Sequence, residues 1–369
     1  VRRTAALIAG GGPAGSAAAI TLGRAGLRPL IIERDAIVGD AICGGFVSWR
    51  TCATLSGLGI DPAGFGGTPI ERLRMFAARR SAEAPLPARA LGLSRRALDT
   101  RLIEAAARAG AGIERGVAIA AFEEEEGRPS LRLRDGARLS ADQLILATGK
   151  HDLRGIARPR PAAGEDRMVG LRVHLAPGGA LRTALRGTIE LHLFRGGYAG
   201  LLLQEDGVAN LCMAVRGSRL ADAGSPTRLF EELARESPPL GDRIGAGSVS
   251  VIDAIAQVPY GWRAQEGTRG VFRTGDQAGV ISSLAGEGIG IALATGIAAA
   301  RAVARDDSAP LFQQRIARRL VRPLACADAV RAAAEGPILA GMMVGLLDRA
   351  PRLARIVARL TRVSAVDAA

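Results

Sequence analysis

Aromatic residues make up only 3% of this 369-residue chain, and Lys150 is the single lysine among 49 basic residues, so arginine carries the formal net charge of +13. With so few rings on which bases could stack, no nucleic-acid partner is expected despite the charge. Histidine is limited to three copies and cysteine to four (Cys43, Cys52, Cys212 and Cys326), with no Cys-x-x-Cys pair and no zinc-type spacing, so no metal is expected. No apolar run reaches the roughly 18 residues of a membrane-crossing helix. The chain enters an apolar strand pattern at once, without the order of an export signal, and the expected location is cytoplasmic, where thiols stay reduced. No Ser-His-Asp set or paired-carboxylate motif stands out.

What is present starts with "TAALIAGGGPAGSAAAITLGRAGLRPLIIER" (residues 4–34), which reads as strand, glycine turn, helix and second strand. Gly10, Gly12 and Gly15 form a GxGxxG motif, with Pro13 and Ala14 opening the helix. The first glycine allows a tight turn, the second lets backbone approach a diphosphate, and the third lets helix pack on strand. The diphosphate would sit on the helix N-terminus, where free N–H groups and the helix dipole favour negative charge. Glu33, 18 residues after Gly15, is placed to bond a ribose hydroxyl, and Arg34 beside it joins the candidate binding set. A dinucleotide site follows, and the acid argues against a 2′-phosphate in it.

Three further segments specify which dinucleotide. "GVFRTGDQAGVISSLAGEGIGIALATGIAAA" (270–300) carries Gly275-Asp276 after an apolar run, then Gly286-Glu287-Gly288 opening a helix. With "LSRRALDTRL" (93–102) and "ADQLILATGK" (141–150), it resembles the FAD-dependent oxidoreductases of the geranylgeranyl reductase and aromatic hydroxylase superfamily. Glu287 tilts the resemblance toward the geranylgeranyl reductase-like branch. It implies FAD as cofactor, Asp276 after Gly275 as the ribityl contact, and Gly286, Gly288 and Ile289 lining the flavin. It further implies Arg95 as a cofactor contact, Asp99 anchoring its helix, and Gly149 at the turn where the substrate region departs. "AICGGFVS" (41–48) matches a Cys-Gly-Gly segment beside the flavin, which places Cys43, Gly44 and Gly45 there, with Cys43 also a catalytic candidate. Pairing of Cys43 with Cys52 stays open, because spacing alone does not place their Cα atoms.

Several positions depart from the family pattern. Hydroxylases of the superfamily carry Asp-Gly where this chain has Ala147-Thr148-Gly149; the flavin loop reads GDQAG, and Ser283 replaces the reductase branch's proline. The reductases' Tyr-x-Trp-x-Phe pattern becomes Tyr198-Ala-Gly-Leu-Leu, which keeps the catalytic candidate Tyr198 and casts doubt on a long isoprenoid substrate.

The expected fold is α/β: a Rossmann-type FAD-binding domain with a parallel central sheet, an inserted antiparallel substrate-domain sheet and C-terminal helices. Residues 1–75, 76–155 and 266–305 are assigned to FAD binding, 156–265 to the antiparallel sheet and 306–369 to the helical region. Period-two alternation in "GLRVHL" and "TIELHLF" sets Arg172, His174, Glu190 and His192 opposite the leucines, and makes His192 a catalytic candidate if the polar face overlooks the flavin. The last 69 residues hold twelve arginines against six acids. "PRLARIVARLTRV" reads there as a basic amphipathic helix, a candidate for peripheral membrane contact.

The leading expectation is hydride transfer between FAD and a carbon–carbon bond of an apolar or aromatic small molecule. The first alternative is an NAD(P)H- and O2-dependent monooxygenase acting on an aromatic or polyketide-like substrate, and the second is a non-catalytic electron-transfer flavoprotein. No second strand-GxGxxG-helix unit is present, so the electron donor would be transiently bound NAD(P)H or a separate reductase.

Overall fold

The computed structural model describes residues 2–159 and 165–363. Among these, the strands form two sheets, labelled here in chain order through both. The first contains β1 (Arg2–Ala9), β2 (Leu30–Glu33), β6 (Gly112–Arg115), β7 (Ile119–Glu125), β8 (Arg128–Leu133), β9 (Arg138–Leu146) and β16 (Val271–Arg273). Its order is β6-β2-β1-β9-β8-β7, with β16 also on β9. The strands β6, β2, β1, β9 and β16 run parallel, and β8 and β7 turn antiparallel. Leu7, Ile8, Leu144, Ile145 and Leu146 are wholly buried, as a parallel sheet covered on both faces requires. Ala9, Leu146 and Arg273 lie in register, so three loops leave the carboxyl edge at one level, where nucleotide sites form in such sheets.

The second sheet contains β3 (Phe46–Val47), β4 (Thr68–Ala77), β5 (Arg80–Gly92), β10 (Met168–Pro177), β11 (Gly187–Phe194), β12 (Gly197–Leu203), β13 (Ala209–Arg216), β14 (Gly247–Val249) and β15 (Asp253–Val258). Its order is β14-β10-β13-β12-β11-β4-β5-β3, with β15 on β10. This sheet draws on more of the chain than residues 156–265. The hairpin β4–β5, expected from sequence to belong with the nucleotide-binding segments, joins it through a parallel pairing of β4 with β11. The hairpin goes there because Met75, Ala77, Ala82 and Ala84 bury against the same apolar cluster as Leu193.

Helices α1 (Pro13–Arg24), α2 (Trp49–Gly57) and α3 (Arg95–Arg108) belong to the nucleotide-binding half. Helices α4 (Gly179–Leu185), α5 (Gly217–Ala223), α6 (Pro226–Glu236) and α7 (Pro238–Gly245) gather beside the second sheet, where Leu181, Leu229 and Leu240 pack on Leu171, Val173 and Leu211. The opposite face of that sheet bears Leu193, Tyr198 and Ala214, and packs against Ala334 of α9 (Ala309–Glu335) and Ala340 and Val344 of α10 (Pro337–Arg349). Between them in sequence, α8 (Gly288–Ala304) lies so close on α1 that a Cβ at Gly296 would stand 2.2 Å from the Ala14 carbonyl oxygen. The last described helix is α11 (Pro351–Leu360).

Candidate functional site

The first turn is dictated by contact. Gly10 has φ +105°, and a Cβ there would stand 2.5 Å from the Ala147 carbonyl oxygen; one on Gly15 would stand 1.9 Å from that of Gly10. Gly12 instead faces space bounded by the Arg95 guanidinium at 3.5 Å, and Ala14 touches the position of Gly275 at 3.4 Å. Pro13 fills the first helical position of α1, where its missing N–H costs no hydrogen bond. Glu33 accepts the N–H groups of Gly11 at 2.7 Å and Asp35 at 2.9 Å, which fixes its carboxylate at the end of β2 and against the glycine turn. Arg34 is more peripheral and pairs with Asp35 in solvent.

Arg95 opens α3 and forms a two-pronged pair with Asp99, at 2.9 and 2.6 Å. Ser94 caps the helix by accepting the Ala97 N–H, and Asp40 accepts the N–H groups of Arg95 and Arg96. The second oxygen of Asp40 takes Arg172 at 3.0 Å, so one carboxylate staples the segment before Cys43 both to α3 and to the second sheet. The Cys43 carbonyl accepts the Asn210 amide at 3.0 Å. Gly45, at φ +72°, leaves no room for a Cβ beside Gln204, whereas Gly44 borders open space. All four cysteines are free thiols, so Cys43 and Cys52 are not paired. Cys52 is turned toward the Val47 carbonyl, and burial pushes its thiol up to about 11.

The third segment closes the crevice. Gly275, at φ +56°, donates its N–H to Thr295 of α8 at 2.8 Å, and the Asp276 carboxylate lies 3.9 Å from the Lys150 ammonium. Two residues that sequence reasoning did not single out hold this loop. Buried Arg158 donates to Asp152, to the Lys150 carbonyl and to the Asp276 carbonyl, and lies over the Trp262 ring. Gln277 donates to the carbonyls of Gly149 and His151 at 2.9 and 3.1 Å. Its signal was the unusual glutamine in GDQAG, whereas nothing in the local sequence marks Arg158.

Gly286, at φ +62°, would bring a Cβ to 2.9 Å from the Phe46 ring. The next residue, Glu287, is buried and accepts from Ser48 at 3.3 Å, Arg362 at 3.0 Å and the Val363 N–H at 3.3 Å. Burial raises its carboxyl, while Arg362 opposes that rise. Gly288 then starts α8 facing open space, followed by buried Ile289.

Tyr198 and His192 part company on the second sheet. The register Leu193↔Tyr198↔Ala214 places the tyrosine on the face toward the 282–284 loop. Its hydroxyl shares hydrogen bonds with Ser283 at 2.7 Å and Ser282 at 3.2 Å and accepts the Leu284 N–H at 3.0 Å; Tyr260 reaches Ser283 at 2.8 Å. Burial raises both phenols, so both remain protonated. His192 points to the other face, which removes the basis for its expected catalytic role. It is wholly buried, stacked on Phe76 at 4.6 Å, with Nε2 3.3 Å from Glu190, which also binds Arg74 and Arg243. Alternation separated the two faces, but only the placement of the sheet decides which one meets the crevice. Arg172 and His174 do face it, beside Asp40.

The crevice thus joins Gly12, Glu33, Arg95, the Cys43–Gly45 loop, Gly149, Asp276 and the start of α8. Gly44, Gly149 and Gly288 each border open space, which would leave room for a flat ring system and its chain, and α1 begins nearby with an N-terminus suited to a diphosphate. These residues fit FAD: Glu33 and the α1 turn would meet the adenosine diphosphate, Asp276 the ribityl chain, and Gly44, Gly45, Gly286 and Gly288 the rings. The fold and this crevice are suited to binding FAD.

Residues 3–173 match the family described as FAD binding domain. The chain is 26% identical over 339 residues to digeranylgeranylglycerophospholipid reductase 2 of Methanopyrus kandleri, covering 84% of this chain and 80% of that protein. It is 29% identical over 318 residues to menaquinone reductase of Mycolicibacterium smegmatis, covering 81% and 76%. Its fold matches that of the flavin-dependent brominase Bmp2 with a TM-score of 0.78 at 16% identity, covering 97% of this chain and 93% of the other. The FAD binding domain and these reductase-named relatives together make the chain an FAD-dependent oxidoreductase, similar to the geranylgeranyl reductases.

Proposed function

We propose that the protein transfers a hydride between FAD and a carbon–carbon bond of an apolar small molecule, with NAD(P)H or a separate reductase supplying electrons. The observation that carries this reading is the character of the sheet face above the crevice. Met75, Leu193 and Ala214 make it apolar and pack under α9 and α10, Leu202 lies beside Phe46 of the flavin crevice, and the phenol on the same face, Tyr198, is held by Ser282, Ser283 and Leu284. Bound FAD supplies the two-electron chemistry. The chain's own residues do the rest. Gly44 and Gly288 admit the rings, the apolar cluster excludes water, and Tyr198, on the loop that leads to Gly286, holds a proton that burial keeps on its oxygen and that a reduced carbon would take up. Cys43 lies on the loop that would border the rings.

The names of the two relatives suggest a digeranylgeranylglycerophospholipid and a menaquinone as first substrates to try. The positions that carry Trp and Phe in the reductase pattern are Gly200 and Leu202 here, on the same face as Tyr198, which leaves more room and less aromatic wall. The test is a single turnover under argon. Protein loaded with FAD and reduced chemically is mixed with each candidate, and the product is weighed by mass spectrometry. A gain of two hydrogens without oxygen supports hydride transfer. Product formed only in air, carrying an atom from labelled O2, overturns it in favour of a monooxygenase.

A further inference from the structure

We propose that the outer surface of α10 and α11 is a docking face for an anionic lipid bilayer. Seven of the eleven large apolar side chains exposed among the described residues lie on these two helices. On α10, Ile338 is 79% exposed, Met342 64% and Leu346 53%, one turn apart along a single stripe, with Leu339 beside it. The other side of α10 is already used: Ala340, Val344 and Leu347 are buried in the cluster that contains Leu193 and Tyr198. On α11, Ile356 and Leu360 are exposed one turn apart, and Arg352, Arg355 and Arg359 occupy the adjoining arc. These three arginines are exposed and have no ion-pair partner among the described residues. Asp348 is the one acid between residues 337 and 363.

Charge selects the occupant. A second copy docked about a two-fold axis would bring this arginine arc against itself, which repulsion disfavours. An anionic bilayer meets both halves of the face, with phosphates for the guanidinium groups and acyl chains for the apolar stripe. Among the described residues no single helix is long and apolar enough to cross a membrane; the contact proposed is a peripheral one. The face is also held in a defined place: just past α11, Arg362 and the Val363 N–H are anchored on Glu287 of the flavin loop. A docked bilayer would therefore lie across α10 from the apolar sheet face, one helix away from Tyr198.

The experiment needs no turnover, so its outcome is independent of the reductase reading. FAD-loaded protein is floated with vesicles of phosphatidylglycerol and phosphatidylcholine in equal parts, and with phosphatidylcholine alone. Flotation with the anionic vesicles only, weakened by salt, is expected. The pair Met342→Asp and Leu346→Asp should weaken binding by at least roughly tenfold, and Arg352→Glu with Arg355→Glu by a similar factor. All four side chains are exposed, so the FAD spectrum should be unchanged and reports folding. Absence of flotation with anionic vesicles, flotation that none of the variants alters, or a solution dimer that the Met342→Asp and Leu346→Asp pair dissociates without any vesicle binding would overturn the proposal.

Discussion

The Arg362 guanidinium lies 3.0 Å from the Glu287 carboxylate, both side chains almost wholly buried, with the guanidinium over the rings of Trp49 at 5.0 Å and Phe46 at 5.8 Å. This pair joins the end of the described chain to the glycine loop that opens α8. Each charge is opposed by burial and favoured by the other, so the two depend on one another. Arg362→Ala strands a carboxylate in the interior, a loss of about 3–5 kcal/mol for a buried pair broken on one side. Thermal unfolding should show a large drop in Tm and FAD titration a weaker affinity, whereas the double change Glu287→Gln with Arg362→Met should recover part of the loss. A double variant no better than Arg362→Ala would contradict this account of the pair.

Tyr198→Phe removes the partner of the Leu284 N–H and of two serine hydroxyls. We expect a stability loss of about 1–3 kcal/mol, together with a fall of roughly 10²-fold in the rate of flavin reoxidation by substrate. Ser283→Ala should share the first effect in part and show little of the second. Equal rate losses in both would assign Tyr198 to loop positioning alone.

Glu190 and His192 set an acid limit on stability. Burial alone would raise the Glu190 carboxyl, but hydrogen bonds from His192 and Arg243 outweigh it and hold the group at about 2, below its ordinary 4.5. Its contribution is present above roughly pH 4.5 and lost as pH falls toward 2. Burial pushes the His192 ring below its ordinary 6.5, so as pH falls below 6.5 the unfolded chain takes up a proton that the folded ring refuses, and stability is lost there too. Nδ1 has no partner among the described residues, which assigns the proton of the neutral ring to Nε2, donating to Glu190. Tm measured against pH should therefore decline on acidification from about 6.5. His192→Gln should flatten the upper part of that decline and leave turnover within about twofold, since the ring faces away from the crevice. A large fall in turnover with normal FAD content would restore His192 to the catalytic set.

The glycines divide into two testable groups. Gly15→Ala must move the Gly10 backbone and should abolish FAD binding along with much of the stability. Gly44→Ala and Gly288→Ala meet only open space, so the FAD-free protein should unfold within about 0.5 kcal/mol of the unchanged one. FAD affinity should nevertheless drop by at least roughly tenfold, because the added methyl groups occupy the cradle. Unaltered affinity in both would place the rings elsewhere.

What could be read from sequence was local or steric. Gly10 and Gly15 are required by contacts within one strand-turn-helix unit, and the spacing to Glu33 locates a carboxylate that does reach the Gly11 N–H. Strand alternation likewise separated Leu191 and Leu193 from Glu190 and His192. It could not say which face meets the crevice, nor that β4 pairs with β11 across more than a hundred residues, because both follow from how the sheet is placed rather than from its pattern. Arg158 and Gln277 were not singled out, and Arg362, which the spacing put with the basic face of the last helix, is instead buried on Glu287, all for a related reason. Each is tied to partners far away in sequence, and a single arginine in an arginine-rich chain carries no local signal.

The central claim is that three separated segments form one FAD cradle beneath the sheet face bearing Tyr198, and a crystal structure of the FAD-loaded protein tests it most directly. The account predicts the ring system between the Cys43–Gly45 loop and the Gly286–Ile289 turn, with the diphosphate at the start of α1 and the ribityl chain at Asp276. Rings placed outside that loop and turn, or facing the side of the sheet that carries His192, would contradict it.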